Sequence, residues 1–159
     1  ADGATPLGNG RAMPAPMVLG RLLTEARVRP GEKALVVGAA TGYSAAVLTA
    51  LGCDVVALET EDGPRAEAHA PGVTGPLAAG WAAGAPYGLI LVDGGIEVVP
   101  QALVDQLADG GRIAAPLIER GVTRLAIGTK ATGAIGWRRF IEAAAPVLPG
   151  FAAPATFRF

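Results

Sequence analysis

The strongest constraint in this chain is the apolar run Ala34-Leu35-Val36-Val37, which has no polar alternation and ends in the turn Gly38-Ala39-Ala40-Thr41-Gly42. A strand of that kind is buried on both faces, and helices laid over a parallel sheet are the usual way to cover it. Tyr43 to Leu51 reads as the following helix, with Ala46, Val47, Leu48 and Leu51 on one face and Gly52 just past its end. Asp54 to Glu59 then makes a second strand through Val55, Val56 and Leu58. The order recurs further on. Tyr87 to Val92 is another unbroken run, closed by Asp93-Gly94-Gly95, and Pro100 opens a helix with Leu103, Val104 and Leu107 on one face.

Around these units the pattern is simpler. Ala1 to Ala15 holds three Gly and two Pro without an apolar period and reads as a loop. Pro16 starts a helix with Val18, Leu19, Leu22, Leu23 and Ala26 on one face, stopped by Pro30-Gly31. Glu61 to Ala70 has room for a short helix, and Val73-Thr74 for a stub of strand. Arg112 to Ala115 follows the Gly110-Gly111 stop as a strand. Val122 to Gly128 and Gly136 to Ala143 form a hairpin around Ala131-Thr132-Gly133-Ala134, and Thr156 to Phe159 adds a last strand. The expectation is an α/β fold in one domain, residues 1–159. Its doubly wound, Rossmann-like sheet is mostly parallel, with an antiparallel C-terminal hairpin.

Composition narrows the function. Thirteen Lys plus Arg against fourteen Asp plus Glu leave a net charge of −1. That is not the basic surplus a phosphate backbone demands, so nucleic acid is not an expected partner. No apolar stretch reaches the eighteen or so residues that span a bilayer, so no membrane partner is expected either. Cys53 is the only cysteine and His69 the only histidine. Internal disulfides and multi-histidine metal sites are therefore excluded, and a reducing cytoplasm is the expected compartment.

In an open parallel sheet the ligand lies beyond the carboxyl ends of the strands, which directs attention to the residues after Val37, Leu58 and Val92. Gly38 lets the backbone turn sharply, and Gly42 removes the side chain that would keep a ligand from the helix amides. Glu59 stands 21 residues after Gly38, at a strand end, where a carboxylate accepts both hydroxyls of a ribose. Together these residues describe a nucleoside site. A dinucleotide site would want G-x-G-x-x-G, but Ala40 and Tyr43 occupy its second and third glycine positions, so NAD is the weaker ligand. Asp93 reads equally as a loop cap or a ligand contact. His69 reads as a solvated surface residue, Cys53 as a buried small hydrophobe, Arg138-Arg139 as a solvated hairpin face, and Trp81 and Trp137 as packing residues.

The stretch from Arg29 to Leu48, RPGEKALVVGAATGYSAAVL, resembles the first S-adenosylmethionine motif of the protein-L-isoaspartate O-methyltransferase family. Tyr87 to Gly95 and Pro100 to Arg112 resemble that family's later blocks, so the likeness runs from about Gly10 to Arg112. It implies a class I methyltransferase fold with S-adenosyl-L-methionine as cofactor and isoaspartyl-containing proteins or peptides as partners. No catalytic acid or base is implied. The implied cofactor residues are Gly38, Ala39, Ala40, Thr41, Gly42 and Ser44 by the methionine part, Glu59 on the ribose, Gly75 and Leu77 near the adenine, and Asp93. Met13, Pro14 and Ala15 fall on the family's substrate loop, and the helical region that precedes that loop in the family has no counterpart here. Val36 stands where the family carries an acid, Ala40 where a second Gly is usual, and Pro14 where a Ser faces the acceptor carboxylate. These departures define the alternative expectation, a methyltransferase-fold binding module with weak or no cofactor binding.

Overall fold

The computed structural model describes residues 5–8, 11–13, 15–40, 42–61 and 71–154. The strand expected over Thr156 to Phe159, His69, and the helix expected over Glu61 to Ala70 beyond its first residue lie outside them. The first two strands are β1 (Thr5–Gly8) and β2 (Arg11–Met13), followed by α1 (Pro16–Glu25). Next come β3 (Lys33–Val37), α2 (Tyr43–Ala50), β4 (Asp54–Glu59) and β5 (Gly72–Thr74). After two 3-10 turns, Leu77–Ala79 and Ala82–Gly84, the chain forms β6 (Tyr87–Val92) and α3 (Gln101–Gln106). It then runs through β7 (Leu107–Glu119), β8 (Val122–Ala131) and β9 (Ala134–Glu142).

The seven strands from β3 onward form one sheet in the order β5-β4-β3-β6-β7-β8-β9. β3 to β7 are parallel, and β8 and β9 are antiparallel. The chain winds outward from β3 through β4 to β5, then returns to the other side of β3 as β6. The point where the winding reverses therefore lies between the carboxyl ends of β3 and β6, where doubly wound sheets bind ligands.

Burial explains why the strands read as unbroken apolar runs. Ala34, Val36, Leu89, Leu91 and Ala114 face α1 and α2 and pack with Leu19, Leu22, Leu23, Ala45 and Leu48. Leu35, Val37, Ile90, Val92, Ile113 and Ala115 point the other way, onto Leu103, Val104 and Phe151. Each fully buried Leu or Ile stabilises the fold by about 1.5–3 kcal/mol relative to exposure, so both faces had to be apolar. Trp81 and Trp137 pack against the second face and Cys53 is buried in the first, as expected.

Several expectations need correction. Residues 1–15 do not form one continuous loop, because β1 and β2 pair antiparallel, with Thr5 opposite Met13 and Gly8 opposite Arg11. The Asn9-Gly10 dipeptide between them is a hairpin signal that the glycine and proline content obscured. α2 buries Ser44, Ala45 and Leu48, whereas Leu51 is 45% exposed. That helix is apolar nearly all round, so periodicity alone does not choose its face.

α3 ends at Gln106, and Leu107 already belongs to β7, which runs thirteen residues instead of beginning at Arg112. Gly110-Gly111 is no stop. Gly110 takes φ +78°, and a Cβ on Gly111 would come within 2.9 Å of the Tyr87 carbonyl oxygen, so the pair carries the strand through an irregularity in the β6–β7 register. The hairpin turn narrows to Thr132-Gly133, both with positive φ. Arg138 and Arg139 are paired as well as solvated, Arg138 with Glu25 at 2.9 Å and Arg139 with Glu119.

Candidate functional site

β3 ends at Val37, and the backbone reverses at once: the amides of Gly38 and Ala39 both donate to the Leu58 carbonyl, at 3.0 Å each. The turn is thereby fixed to the end of β4. Gly38 takes φ +80°, Ala40 φ +50° and Gly42 φ +88°, the left-handed region that glycine occupies without cost. Ala40 therefore pays in strain what glycine would not, about 1–2 kcal/mol. Gly42 donates to the Ala39 carbonyl at 2.8 Å, and its own carbonyl accepts from Ala46 to open α2. No side chain caps α2 among the described residues.

Glu59, at the end of β4, is only 8% exposed. Its Oε2 accepts the Ala40 amide at 2.9 Å, and its Oε1 accepts the Thr60 amide at 2.9 Å. A buried carboxylate held by backbone amides is a fixed negative charge beside the turn. The sequence spacing pointed to Glu59, but its bond to the strained residue was not legible there.

On the other side of the reversal, the Asp93 amide donates to the Val37 carbonyl at 3.0 Å, and Asp93 is buried at the end of β6. The Gly75 amide donates to the Glu59 carbonyl at 3.0 Å, which brings the segment after β5 beside the same strand end. Leu77 is buried in the second core cluster, so its side chain packs in the core. Ser44 is buried in the first turn of α2. The fold thus gathers Gly38, Ala39, Ala40, Gly42, Ser44, Glu59, Gly75 and Asp93 around the carboxyl ends of β3, β4 and β6. Thr41 and Pro14 lie outside the described residues, Met13 closes β2, and buried Ala15 precedes α1, its carbonyl accepting from Val18 and Leu19. Val36 is fully buried against α1 and α2, so an acid's place in the family is a core position here.

With this geometry in view, the comparisons with known proteins agree. The family model described as Protein-L-isoaspartate(D-aspartate) O-methyltransferase matches residues 72–142. A protein-L-isoaspartate O-methyltransferase of Methylorubrum populi is 38% identical over 126 residues, 74% of this chain and 59% of that protein. The chain is similar to the protein-L-isoaspartate O-methyltransferase family. It spans between 51% and 62% of the length of the curated relatives compared.

Among solved structures, a protein-L-isoaspartate O-methyltransferase superposes with a TM-score of 0.81 at 20% identity, over 94% of this chain and 53% of the other. A Plasmodium falciparum member in complex with S-adenosyl-L-homocysteine gives a TM-score of 0.76 at 20% identity, over 93% of this chain and 80% of the other. Both establish the α/β methyltransferase fold. Among the described residues no group of three or more His, Cys, Asp or Glu is arranged to hold a metal, and no helix is long and apolar enough to cross a membrane.

Proposed function

We propose that this protein is an S-adenosylmethionine-dependent carboxyl O-methyltransferase acting on isoaspartyl residues of damaged proteins. The observation that carries the reading is Glu59, a buried carboxylate at the end of β4, bonded to the turn that opens α2. That arrangement fits a nucleoside: the carboxylate suits vicinal ribose hydroxyls, and Gly42 at the helix start lets a ligand approach the amides. The relatives' names support an enzyme over a binding-only module.

In this reading Glu59 orients the ribose, the backbone from Gly38 to Gly42 with Ser44 borders the methionine part, Gly75 and Leu77 lie by the adenine, and Asp93 closes the β6 side. Met13, Pro14 and Ala15 border the acceptor. When bound, S-adenosylmethionine would supply a methyl group on a sulfonium, which an ionised carboxylate can accept directly as the sulfur leaves in S-adenosylhomocysteine. An isoaspartyl carboxylate is ionised at pH 7, so the chain needs no catalytic base; its residues have to align the acceptor and exclude water. The partners are isoaspartyl-containing proteins or peptides, with neither nucleic acid nor membrane. The lone Cys53 supports a cytoplasmic setting.

Calorimetric titration with S-adenosylhomocysteine is the first test. Micromolar binding is expected, and Glu59→Ala should weaken it by about 2–3 kcal/mol, the loss of charge-assisted hydrogen bonds to ribose. Transfer of labelled methyl groups to an isoaspartyl peptide should exceed transfer to the matching aspartyl peptide. Pro14→Ser should raise the rate about ten- to a hundredfold by returning a hydroxyl to the acceptor. Silence at millimolar S-adenosylhomocysteine overturns the cofactor assignment. Intact binding with no transfer above the aspartyl control overturns the isoaspartyl assignment and leaves the fold standing.

A further inference from the structure

The segment from Ala145 to Phe151 follows the sheet and folds back over the loop that carries Asp93. The Gly95 amide donates to the Pro146 carbonyl at 2.7 Å, and the Leu148 amide donates to the Gly95 carbonyl at 3.1 Å. The Phe151 carbonyl accepts from both Glu97 and Val98, and the Phe151 side chain is fully buried. The contact is close enough to dictate sequence. A Cβ on Gly94 would lie 2.3 Å from Leu148 Cγ and 2.6 Å from Leu148 Cδ2, and one on Gly95 would lie 3.0 Å from the Ala145 carbonyl oxygen. Gly94 is therefore held to glycine by Leu148 whether or not a ligand approaches it, whereas a Cβ on Gly95 would meet Ile118 Cδ1 of β7 first, at 2.5 Å. The same segment also reaches the Leu77–Ala79 turn, where a Cβ on Gly150 would stand 3.1 Å from the Ala78 Cβ.

We infer that residues 145–151 are a positioning strap for the cofactor crevice, with Leu148 as the positioning residue that sets where Asp93 stands. Asp93 is held on one side by its amide bond to the Val37 carbonyl, and on the other by a glycine pinned beneath Leu148. The strap touches no reacting atom. It acts by keeping the Asp93 loop and the Leu77–Ala79 turn at one spacing, and a displacement of well under an ångström at a binding loop is enough to lose affinity. This rests on the cofactor reading above for its meaning, but its geometry can be tested separately.

The experiment is a double-mutant cycle between positions 94 and 148, read by titration with S-adenosylhomocysteine and by amide hydrogen exchange. Gly94 has no positive φ, and the three atoms nearest the methyl group of Gly94→Ala all belong to the Leu148 side chain; the variant should weaken binding at least tenfold and speed exchange at Asp93 and Gly95. Leu148→Ala removes all three atoms nearest the new methyl group. The double variant Gly94→Ala/Leu148→Ala should therefore bind within about threefold of Leu148→Ala alone, with the Asp93 and Gly95 amides again protected to the level of that single variant. A loss due only to a weakened fold would be larger in the double variant than in either single one. Parental affinity in Gly94→Ala, or no recovery in the double variant, overturns the strap. If the parent binds no S-adenosylhomocysteine, the cofactor reading fails and the exchange cycle still decides the strap: no coupling between positions 94 and 148 at Asp93 overturns it.

Discussion

Ala40 is where the site stores strain. A left-handed alanine costs about 1–2 kcal/mol, and it persists because its amide is held by Glu59 at 2.9 Å and the turn is tied to Leu58. Ala40→Gly should raise stability by about 1 kcal/mol, which in a chain of this length is roughly 2–4 °C in Tm by calorimetry. An unchanged or lower Tm would mean that the turn does not hold position 40 in the left-handed region. The same bond separates two effects of Glu59. Glu59→Ala leaves the Ala40 amide without its buried acceptor, whereas Glu59→Gln keeps an oxygen there. Stability should therefore fall by about 1–2 kcal/mol in the first and much less in the second, as urea midpoints would report.

At the scale of elements, Arg112 joins four pieces of chain. Its Nε donates to the Ala26 carbonyl at 2.8 Å beyond α1, Nη1 to the Gly88 carbonyl at 2.9 Å in β6, and Nη2 to Glu32 at 2.9 Å just before β3. Nη2 also reaches the Arg27 carbonyl at 3.2 Å. Arg112→Ala strips all of them and leaves the largely buried Glu32 uncompensated, so a loss of about 3–5 kcal/mol is expected. Arg112→Lys should recover little, because a single ammonium cannot span that fork. The guanidinium's hydrogen bonds hold the Glu32 carboxyl below the ordinary carboxylate range. A lowered folded pKa means that this contribution is present above the unfolded value, near pH 4.3, and is lost as pH falls through the lower folded value. Urea midpoints between pH 6 and 3 should show that loss, and Glu32→Gln should lack it.

For the whole molecule, ligand binding and folding are linked because the crevice exists only in the assembled sheet. S-adenosylhomocysteine at a hundred times its Kd should stabilise the native state by about 2.7 kcal/mol, or roughly 5–10 °C in Tm, while NAD at the same concentration should not. Equal shifts with both would reopen the dinucleotide reading.

The sequence by itself determined the parallel core and the turn that follows its first strand. A buried parallel strand has to be apolar on both faces, and β4 and β6 run over the residues their apolar patterns marked. Glycines that need positive φ and the acid 21 residues beyond Gly38 are likewise local signals, visible in the chain order. Features that depend on which surface meets which were not legible. The buried face of α2 came from the sheet beneath a uniformly apolar helix, and the length of β7 came from Gly110-Gly111 absorbing an irregular register against β6. Gly94-Gly95 reads in sequence as a ligand loop, but tertiary packing, against Leu148 at Gly94 and against Ile118 at Gly95, is what leaves no room for a Cβ there. These contacts join residues far apart in the chain, and no local propensity records a clash that arises only after the sheet has formed.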